Sequence, residues 1–199
     1  MNWDDARLNR WLWLGIGVLG IFLVVQLTDR FRFRLDMTEE KRYTISEPSR
    51  RLLGELNDIV TIESYLDGEL PSNFVRFRKS LEDMLDQFTV YGGTKIQYRF
   101  IDPSKAKTAR SRNEYYQSLI EKGLPQTNLT YTKDGQRTEK VIFPGVLMTY
   151  QGRELAIPLL KGNRSSSPEE MLNESIEGLE YELVRGVRSV TESNRRKIG

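Results

Sequence analysis

Acidic side chains that lie close together are the residues whose types could carry chemistry here. Two carboxylates can act as acid and base in glycoside hydrolysis, and several can bind Ca²⁺ through oxygen. The close groups are Asp67 with Glu69, Glu82 with Asp83 and Asp86, Glu169 with Glu170, and Glu177 with Glu180. Most of them lie on polar faces of predicted helices with basic neighbours, which is typical of a solvated surface. The Asp67-Gly68-Glu69 group alone lies in a predicted loop, and a plain turn explains it better than a site.

A glycine pattern near the N-terminus matches the dinucleotide-binding fingerprint. Gly15, Gly17 and Gly20 spell G-x-G-x-x-G. That motif requires a strand before it, a helix after it and an acidic residue about 20 positions further on. These glycines instead lie inside an apolar run that predicts a membrane span, where such a unit does not fit. Glycines allow close approach of a neighbouring membrane helix. We therefore interpret Gly15, Gly17 and Gly20 as contacts with a membrane partner.

The sequence contains no cysteine and no histidine among its 199 residues. Their absence excludes disulfides, thiol nucleophiles and the usual zinc sites. It also excludes histidine-based acid–base catalysis and the Ser-His-Asp triad. No Walker A motif occurs, so ATP hydrolysis by P-loop chemistry is excluded, and the net charge of +2 is too small to favour nucleic acid. We expect a non-enzymatic protein without a metal or cofactor.

The apolar run from Trp11 to Leu27 has no charged residue, and it must position the remainder of the chain. At helical rise it spans about 26 Å, close to the ~30 Å hydrocarbon core of a bilayer. Trp11 and Trp13 fall at its first turn, where indole rings favour the membrane interface. A cleaved signal peptide would have a shorter apolar core and a small-x-small cleavage site. Neither is present, so the run predicts an uncleaved anchor.

Arginines alternate with apolar residues directly after the anchor. Arg30, Arg32 and Arg34 are separated by Phe31 and Phe33. Two interpretations stay open for this segment: a basic patch on lipid headgroups, or a strand with one buried face and extended arginine side chains. Either one makes these arginines interface anchors beside the bilayer.

Hydrophobic periodicity and turn residues predict a series of alternating elements after residue 46. Ser46 is a predicted N-cap, and the chain ends in one long helix. The predicted helices are 47–57, 73–91, 105–122 and 169–191, and the predicted strands are 59–66, 95–101, 126–132, 138–143, 146–150 and 154–159. Asp134-Gly135 is the strongest short hairpin signal in the chain.

This order predicts an α/β (α+β) fold with a mixed sheet. It is the order of a thioredoxin-like domain that lacks the redox motif, with Pro125 at the place where that fold has a proline before its third strand. A cis peptide at Pro125 would support the assignment. The predicted organisation is a cytoplasmic tail (1–10), an anchor (11–28), a juxtamembrane strand or linker (29–46) and the soluble domain (47–199).

Short segments spread along the chain resemble the gliding-motility-associated ABC transporter auxiliary component (GldG) family. The segment from Asp36-Met37-Thr38-Glu39 to Tyr43-Thr44-Ile45-Ser46 is similar to the family's DLTxxxxYTLS opening. The other similar segments are Tyr65–Pro71, Phe88–Tyr91, Phe100–Pro103 and Leu179–Leu183. Each is short, but their order and spacing together make the resemblance specific.

The resemblance implies an auxiliary subunit of a bacterial ABC transporter, anchored in the inner membrane, with a periplasmic domain. Its partners would be the membrane permease and, through it, a cytoplasmic ATPase. In that family a further domain and a second anchor normally follow, so we expect a longer protein to continue past residue 199. The charged residues that flank the apolar run predict a different orientation from the one that the resemblance implies. Arg7 and Arg10 precede the span, more Lys and Arg residues follow it, and the positive-inside rule alone predicts a cytoplasmic domain. We expect a periplasmic domain, because long domains translocate regardless of charge. The alternative function is an anchored scaffold independent of any transporter.

Overall fold

A computed structural model of the chain describes residues 45–105, 108–133, 135–161 and 167–192. The helices within these ranges are α1 (Glu47–Gly54), α2 (Ser72–Gly92), α3 (Ala109–Glu121), α4 (Pro168–Glu177) and α5 (Leu179–Glu192). The strands are β1 (Val60–Ser64), β2 (Ile96–Phe100), β3 (Thr127–Lys133), β4 (Gln136–Ile142), β5 (Gly145–Tyr150) and β6 (Arg153–Pro158). None of the helices in these ranges combines the length and the apolar character that crossing a membrane requires.

Four strands form one mixed sheet in the order β2-β1-β5-β6. β1 is parallel to β2 and antiparallel to β5, so that Ile62 lies between Tyr98 and Met148. β6 completes the sheet as the antiparallel partner of β5. β3 and β4 pair only with each other among the described strands, as a separate ribbon. The mixed α/β architecture with a mixed sheet, predicted from the sequence, is confirmed.

The larger core lies between the sheet and four helices. α2 contacts β2, and α5 contacts β5 and β6, while α1 and α4 pack on these two helices. The side chains of α2 that alternate at three- and four-residue steps are all buried, as predicted: Phe74, Phe77, Leu81, Leu85 and Phe88. Burial of each such side chain stabilises the fold by about 1.5–3 kcal/mol. This layer fixes the position of β1 and β2.

A smaller core lies on the other face of the sheet, below α3. Leu119 of α3 packs with Tyr65, Leu124, Phe143 and Leu147. Met148, the next residue of β5, belongs to the larger core instead. Because successive side chains of a strand point to opposite faces, β5 is buried on both sides. Its nearly continuous apolar sequence reflects that central position.

Two sequence expectations differ from the structure. The single helix expected over 169–191 is wrong: it is two helices, α4 and α5, divided at Gly178. Gly178 is the C-cap of α4, and a Cβ there would meet the flexible end of the Lys161 side chain, with Nζ at 2.5 Å. Among the described residues no peptide bond is cis. Pro125 precedes β3 of the ribbon, whereas Pro144 is the proline directly before β5.

Candidate interaction surface at the carboxyl edge of the sheet

The loops after β1 and β2 lie at the same edge of the sheet. The two strands are parallel, with Ser64 beside Phe100 at their carboxyl ends. Residues 65–71 follow β1 and lead into α2, and residues 101–105 follow β2. In open α/β sheets, the carboxyl ends of parallel strands form the edge that most often binds ligands. This edge is therefore the first candidate for a functional surface.

Gly68 lies against the side chain of Asp102 at this edge. A Cβ at Gly68 would lie 2.3 Å from Asp102 Oδ2, and Gly68 has a φ of 87°. Asp102 Oδ1 accepts hydrogen bonds from the backbone N–H of Ser104, at 2.9 Å, and from its hydroxyl, at 2.6 Å. The carboxylate is thus fixed by the turn that it caps. Glycine at position 68 is required by both its backbone angle and the close approach.

Arg78 of α2 neutralises the acids of this edge. Its Nε donates to Asp67 Oδ1 at 3.0 Å, and its NH1 donates to Glu82 Oε2 at 3.1 Å. The guanidinium carbon lies 4.2 Å from the ring centroid of Phe100. A guanidinium over an aromatic face adds a cation–π attraction to the two ion pairs. Asp67 and Glu82, two of the acids noted in the sequence, are therefore held in ion pairs with Arg78.

The β3–β4 ribbon is fastened to the same edge. Lys140 Nζ of β4 donates to the backbone carbonyl of Glu69 at 2.5 Å. Leu129 of β3 packs against the larger core, and Val141 packs against the smaller one. The base of the ribbon therefore contacts both cores and the loop after β1. Its far end lies beyond these contacts.

A second polar cluster lies on the face of the sheet that carries the smaller core. Tyr65 donates its hydroxyl to Glu63 Oε2 at 2.8 Å, and Arg99 pairs with the same carboxylate. Burial, followed by this hydrogen bond, raises the pKa of Tyr65 far above its ordinary value. Tyr65 therefore stays protonated and acts as a donor. The three side chains hold one another at the margin of the smaller core.

The start of α1 is joined to the start of α5 through Glu180. Glu180 Oε1 accepts from the backbone N–H of Ser46 at 2.8 Å and from the hydroxyl of Ser49 at 2.5 Å. Ser46 occupies the N-cap position, as predicted, but its own side chain caps no backbone group of the helix. A carboxylate near a helix N-terminus also interacts favourably with the helix dipole. Glu180 thus supplies the cap from 134 residues away.

A groove of about 630 Å³ lies between α1 and the C-terminal half of α5. Leu52 and Val184 are among the residues that line it, with acidic and basic side chains around them. Arg51 pairs with Glu47, and Arg188 pairs with Glu192, so these four charges are compensated within each helix. The groove has no buried charge that would select a small polar ligand.

Three more of the acids noted in the sequence have defined surroundings: Glu170, Asp86 and Asp83. Glu170 completes a capping box with Ser167 at the start of α4, and Asp86 accepts the hydroxyl of Tyr98. Burial, followed by that hydrogen bond, raises the pKa of Tyr98 to about 12. Burial also raises the pKa of Asp83, against the opposing charge of Lys79. Within the described ranges, no three acidic residues form a group that could hold a metal ion.

The site residues predicted from the sequence lie outside the described residues. This applies to the glycines of the apolar run, to its tryptophans and to the arginines after it: Gly15, Gly17, Gly20, Trp11, Trp13, Arg30, Arg32 and Arg34. Sequence reasoning missed the Arg78–Phe100 contact and the Ser46–Glu180 contact. No local pattern marks either of them, because both join elements distant in the chain.

A family model described as a domain of unknown function, DUF7088, matches residues 39–149, which is more than half of the chain. The chain belongs to this family. The matched DUF7088 segment includes α1, the carboxyl edge and the ribbon, and it ends within β5. β6, α4 and α5, which carry Glu180 and one wall of the groove, follow it.

One curated relative is an uncharacterized protein from Borreliella burgdorferi. It is 24% identical to this chain over 191 residues, which are 96% of this chain and 34% of the relative. The chain therefore spans about a third of the length of the curated protein that it matches. No solved structure matches this DUF7088 chain.

Proposed function

We propose that this chain is a non-enzymatic, membrane-anchored auxiliary subunit of a bacterial ABC transporter complex linked to gliding motility or protein secretion. The observation that carries the proposal is the uncharged run 11–27, placed before a domain whose sequence resembles GldG in several ordered segments. The anchor binds the permease, and the domain, in the periplasm, presents its surface to a partner.

Contacts between the resembling segments support this proposal. Gly68 belongs to one such segment and Asp102 to another, and the two residues are in direct contact. Ser46 and Glu180 likewise come from two segments and are joined by a hydrogen bond. Segments that are short and separate in the sequence therefore meet at two places in the fold. If the resemblance were due to chance, the matching residues would not be expected to contact one another in the fold.

We also propose that the domain is thioredoxin-like, with the β3–β4 ribbon as an insertion after α3. The supporting observation is the strand order β2-β1-β5-β6, with β1 and β2 parallel and β5 and β6 antiparallel. With no cysteine in the sequence, such a fold binds rather than performs dithiol chemistry. An experimental structure in which β1 and β2 are not parallel neighbours would refute this assignment.

Co-purification from native membranes tests the transporter role. A tagged full-length chain extracted in mild detergent is expected to retain a permease and an ATPase, identified by mass spectrometry. Gly17→Leu adds bulk where a partner helix would approach, and it is expected to lose both proteins. Val18→Leu, one residue on and therefore on another face of a helix, is the matched control. Retention of neither protein by the unmodified chain would leave the scaffold alternative.

Cysteine labelling tests the orientation, because the sequence has no cysteine of its own. Asn113, exposed on α3, reports on the domain, and Asn9 reports on the tail before the apolar run. With a membrane-impermeant maleimide on spheroplasts, Asn113→Cys is expected to react before lysis and Asn9→Cys only after it. The reverse pattern would place the domain in the cytoplasm, as the flanking charges alone predict.

A further inference from the structure

The outer edge of β3 has no strand beside it among the described residues. β3 pairs with β4 from Thr127–Ile142 to Lys133–Gln136, and the pair forms a two-stranded sheet by itself. In an antiparallel pair, the backbone groups of every second residue point away from the partner strand. Within the part of the chain that the structure describes, these groups have no strand partner on either outer edge of the ribbon. Such edges are templates for another strand.

The two edges of the ribbon differ in their protection. β4 carries Arg137, Glu139 and Lys140, and charges on an edge strand oppose further pairing. From Thr127 to Thr132, β3 has neither a charge nor a proline. Three of these six residues are threonine and one is tyrosine, types that favour strands, and the other two are Asn128 and Leu129. Of the two edges of the ribbon, the edge of β3 is therefore the one open to strand addition.

We propose that β3 pairs antiparallel with β3 of a second copy of this chain, which gives a four-stranded sheet in the order β4-β3-β3-β4. A twofold axis at Thr130 sets Thr130 opposite itself, and it sets Leu129 opposite Tyr131 of the other copy. The aliphatic–aromatic pair occurs on both sides of the axis and stabilises the sheet. The interface is isologous, so it closes as a dimer and does not extend into a fibre.

The charges on the two strands favour dimer formation through β3 over dimer formation through β4. The same symmetric arrangement of β4 would be centred on Glu139 and would set two Glu139 carboxylates opposite each other. Like charges directly opposite on neighbouring strands destabilise a sheet. About Thr130, no two like charges face each other, because the only charge of β3 is at Lys133 at its end. The self-complementarity of β3 identifies the second copy as its partner.

Disulfide trapping tests this dimer in membranes that contain the full-length chain. Residues opposite each other in an antiparallel pair have Cα atoms roughly 4.5–5.5 Å apart, which suits a disulfide. Thr130→Cys, the sole cysteine of its chain, is expected to convert most of the protein to a reducible dimer under mild oxidation. Glu139→Cys, at the equally exposed centre of β4, is the matched control and is expected to give less than about a tenth as much. Equal cross-linking of the two variants would overturn the proposal.

The mass of the detergent-solubilised chain supplies a second, independent test. Two chains per particle are expected for the unmodified protein and for Glu139→Lys, and one chain for Thr130→Lys, which sets like charges opposite each other. Far-UV circular dichroism checks that both variants keep their secondary structure. A monomeric unmodified chain would overturn the dimer whether or not the transporter subunits co-purify. If a different protein occupied the β3 edge in the cell, the purified chain would also be monomeric, and the dimer proposal would be wrong in that case too.

Discussion

The carboxylate of Glu180 lies 2.8 Å from the backbone nitrogen of Ser46 and 2.5 Å from the hydroxyl of Ser49. Ser49 is only 4% exposed, so its hydroxyl depends on protein partners. A buried polar group that loses its partner destabilises a protein by about 1–3 kcal/mol. This carboxylate is thus an energetic link between the first and the last helix of the domain.

Replacing Glu180 with alanine is expected to lower the free energy of unfolding by about 1–3 kcal/mol, because two donors lose their acceptor. Glu180→Gln keeps one acceptor oxygen and is expected to lose less. Urea unfolding of the detergent-solubilised chain measures both changes. Glu177→Ala, which removes an exposed carboxylate at the end of α4, is the control. Equal losses for Glu180→Ala and Glu177→Ala would contradict the assigned role.

The same carboxylate is expected to make stability depend on pH. Partial burial raises the pKa of Glu180, but the hydrogen bonds from Ser46 and Ser49 and the charge of Arg50 outweigh it and lower the pKa below 4.5. Its stabilisation is therefore present above pH 4.5 and is lost as the pH falls through the lowered pKa of the folded state. Thermal unfolding between pH 3 and 7 is expected to show this loss, below pH 4.5, in the unmodified chain. The loss is expected to be smaller in Glu180→Gln, and a difference between the two that stays constant with pH would sink the prediction.

Alanine substitution at two glycines with positive φ distinguishes the cost of backbone strain from the cost of steric contact. Gly68 and Gly135 have φ values of 87° and 77°, but only Gly68 faces a neighbour within 4 Å of an added Cβ. Alanine in the left-handed region costs about 1–2 kcal/mol. Gly135→Ala is expected to cost that amount, and Gly68→Ala about 1–3 kcal/mol more, because Asp102 is fixed by Ser104. Chemical denaturation compares the two variants, and equal losses would show that Asp102 moves away freely.

Arg78 is expected to matter more than an ordinary surface arginine. It pairs with two acids and stacks on Phe100, and its side chain is 28% exposed. Arg110, 90% exposed, pairs with Glu114 on one helix. Arg110→Ala is expected to cost less than about 0.5 kcal/mol, and Arg78→Ala about 1–2 kcal/mol. Added salt is expected to reduce the Arg110 effect more strongly. Matching losses from the two substitutions in urea titrations would remove the distinction.

The close approach of two strands is expected to make any larger residue at Gly145 destabilising. A Cβ at Gly145 would lie 2.8 Å from the carbonyl oxygen of Ile157, which the β5–β6 pairing holds in place. Gly145→Ala is expected to cost about 1–3 kcal/mol through overpacking. Gly54→Ala is the matched control, because nothing lies within 4 Å of its added Cβ. Melting temperatures measure both, and an unchanged value for Gly145→Ala would mean that the strands separate easily.

Periodicity was sufficient to predict the elements that bury one regular face. The stripe of α2 and both hairpins follow from residue spacing and from the turns at Gly135 and Gly152. The break at Gly178 was not predictable, since the apolar stripe continues across it and Gly178 has a φ of −87°, which any residue adopts. Pro125 was expected before a strand of the sheet, but it precedes β3 of the separate ribbon, and Pro144 is the proline directly before β5.

The candidate surface was less predictable than the fold. Sequence reasoning identified Asp67 and Asp102 as loop residues, but the partners of these acids come from α2 and from a turn. Such contacts depend on how α2 lies across the parallel strands, and no spacing within the sequence encodes that crossing. The anchor contacts, in contrast, rest on composition alone and lie outside the described residues.

The groove between α1 and α5 is lined by both Glu47 and Glu192, the first residue of α1 and the last of α5. The Ser46–Glu180 hydrogen bond, however, holds the start of α1 at the first turn of α5, and Glu192 lies about 18 Å further along that helix at helical rise. The described residues therefore begin and end at opposite ends of α5. A force applied between residues 45 and 192 would act along the length of α5 and across the Ser46–Glu180 hydrogen bond.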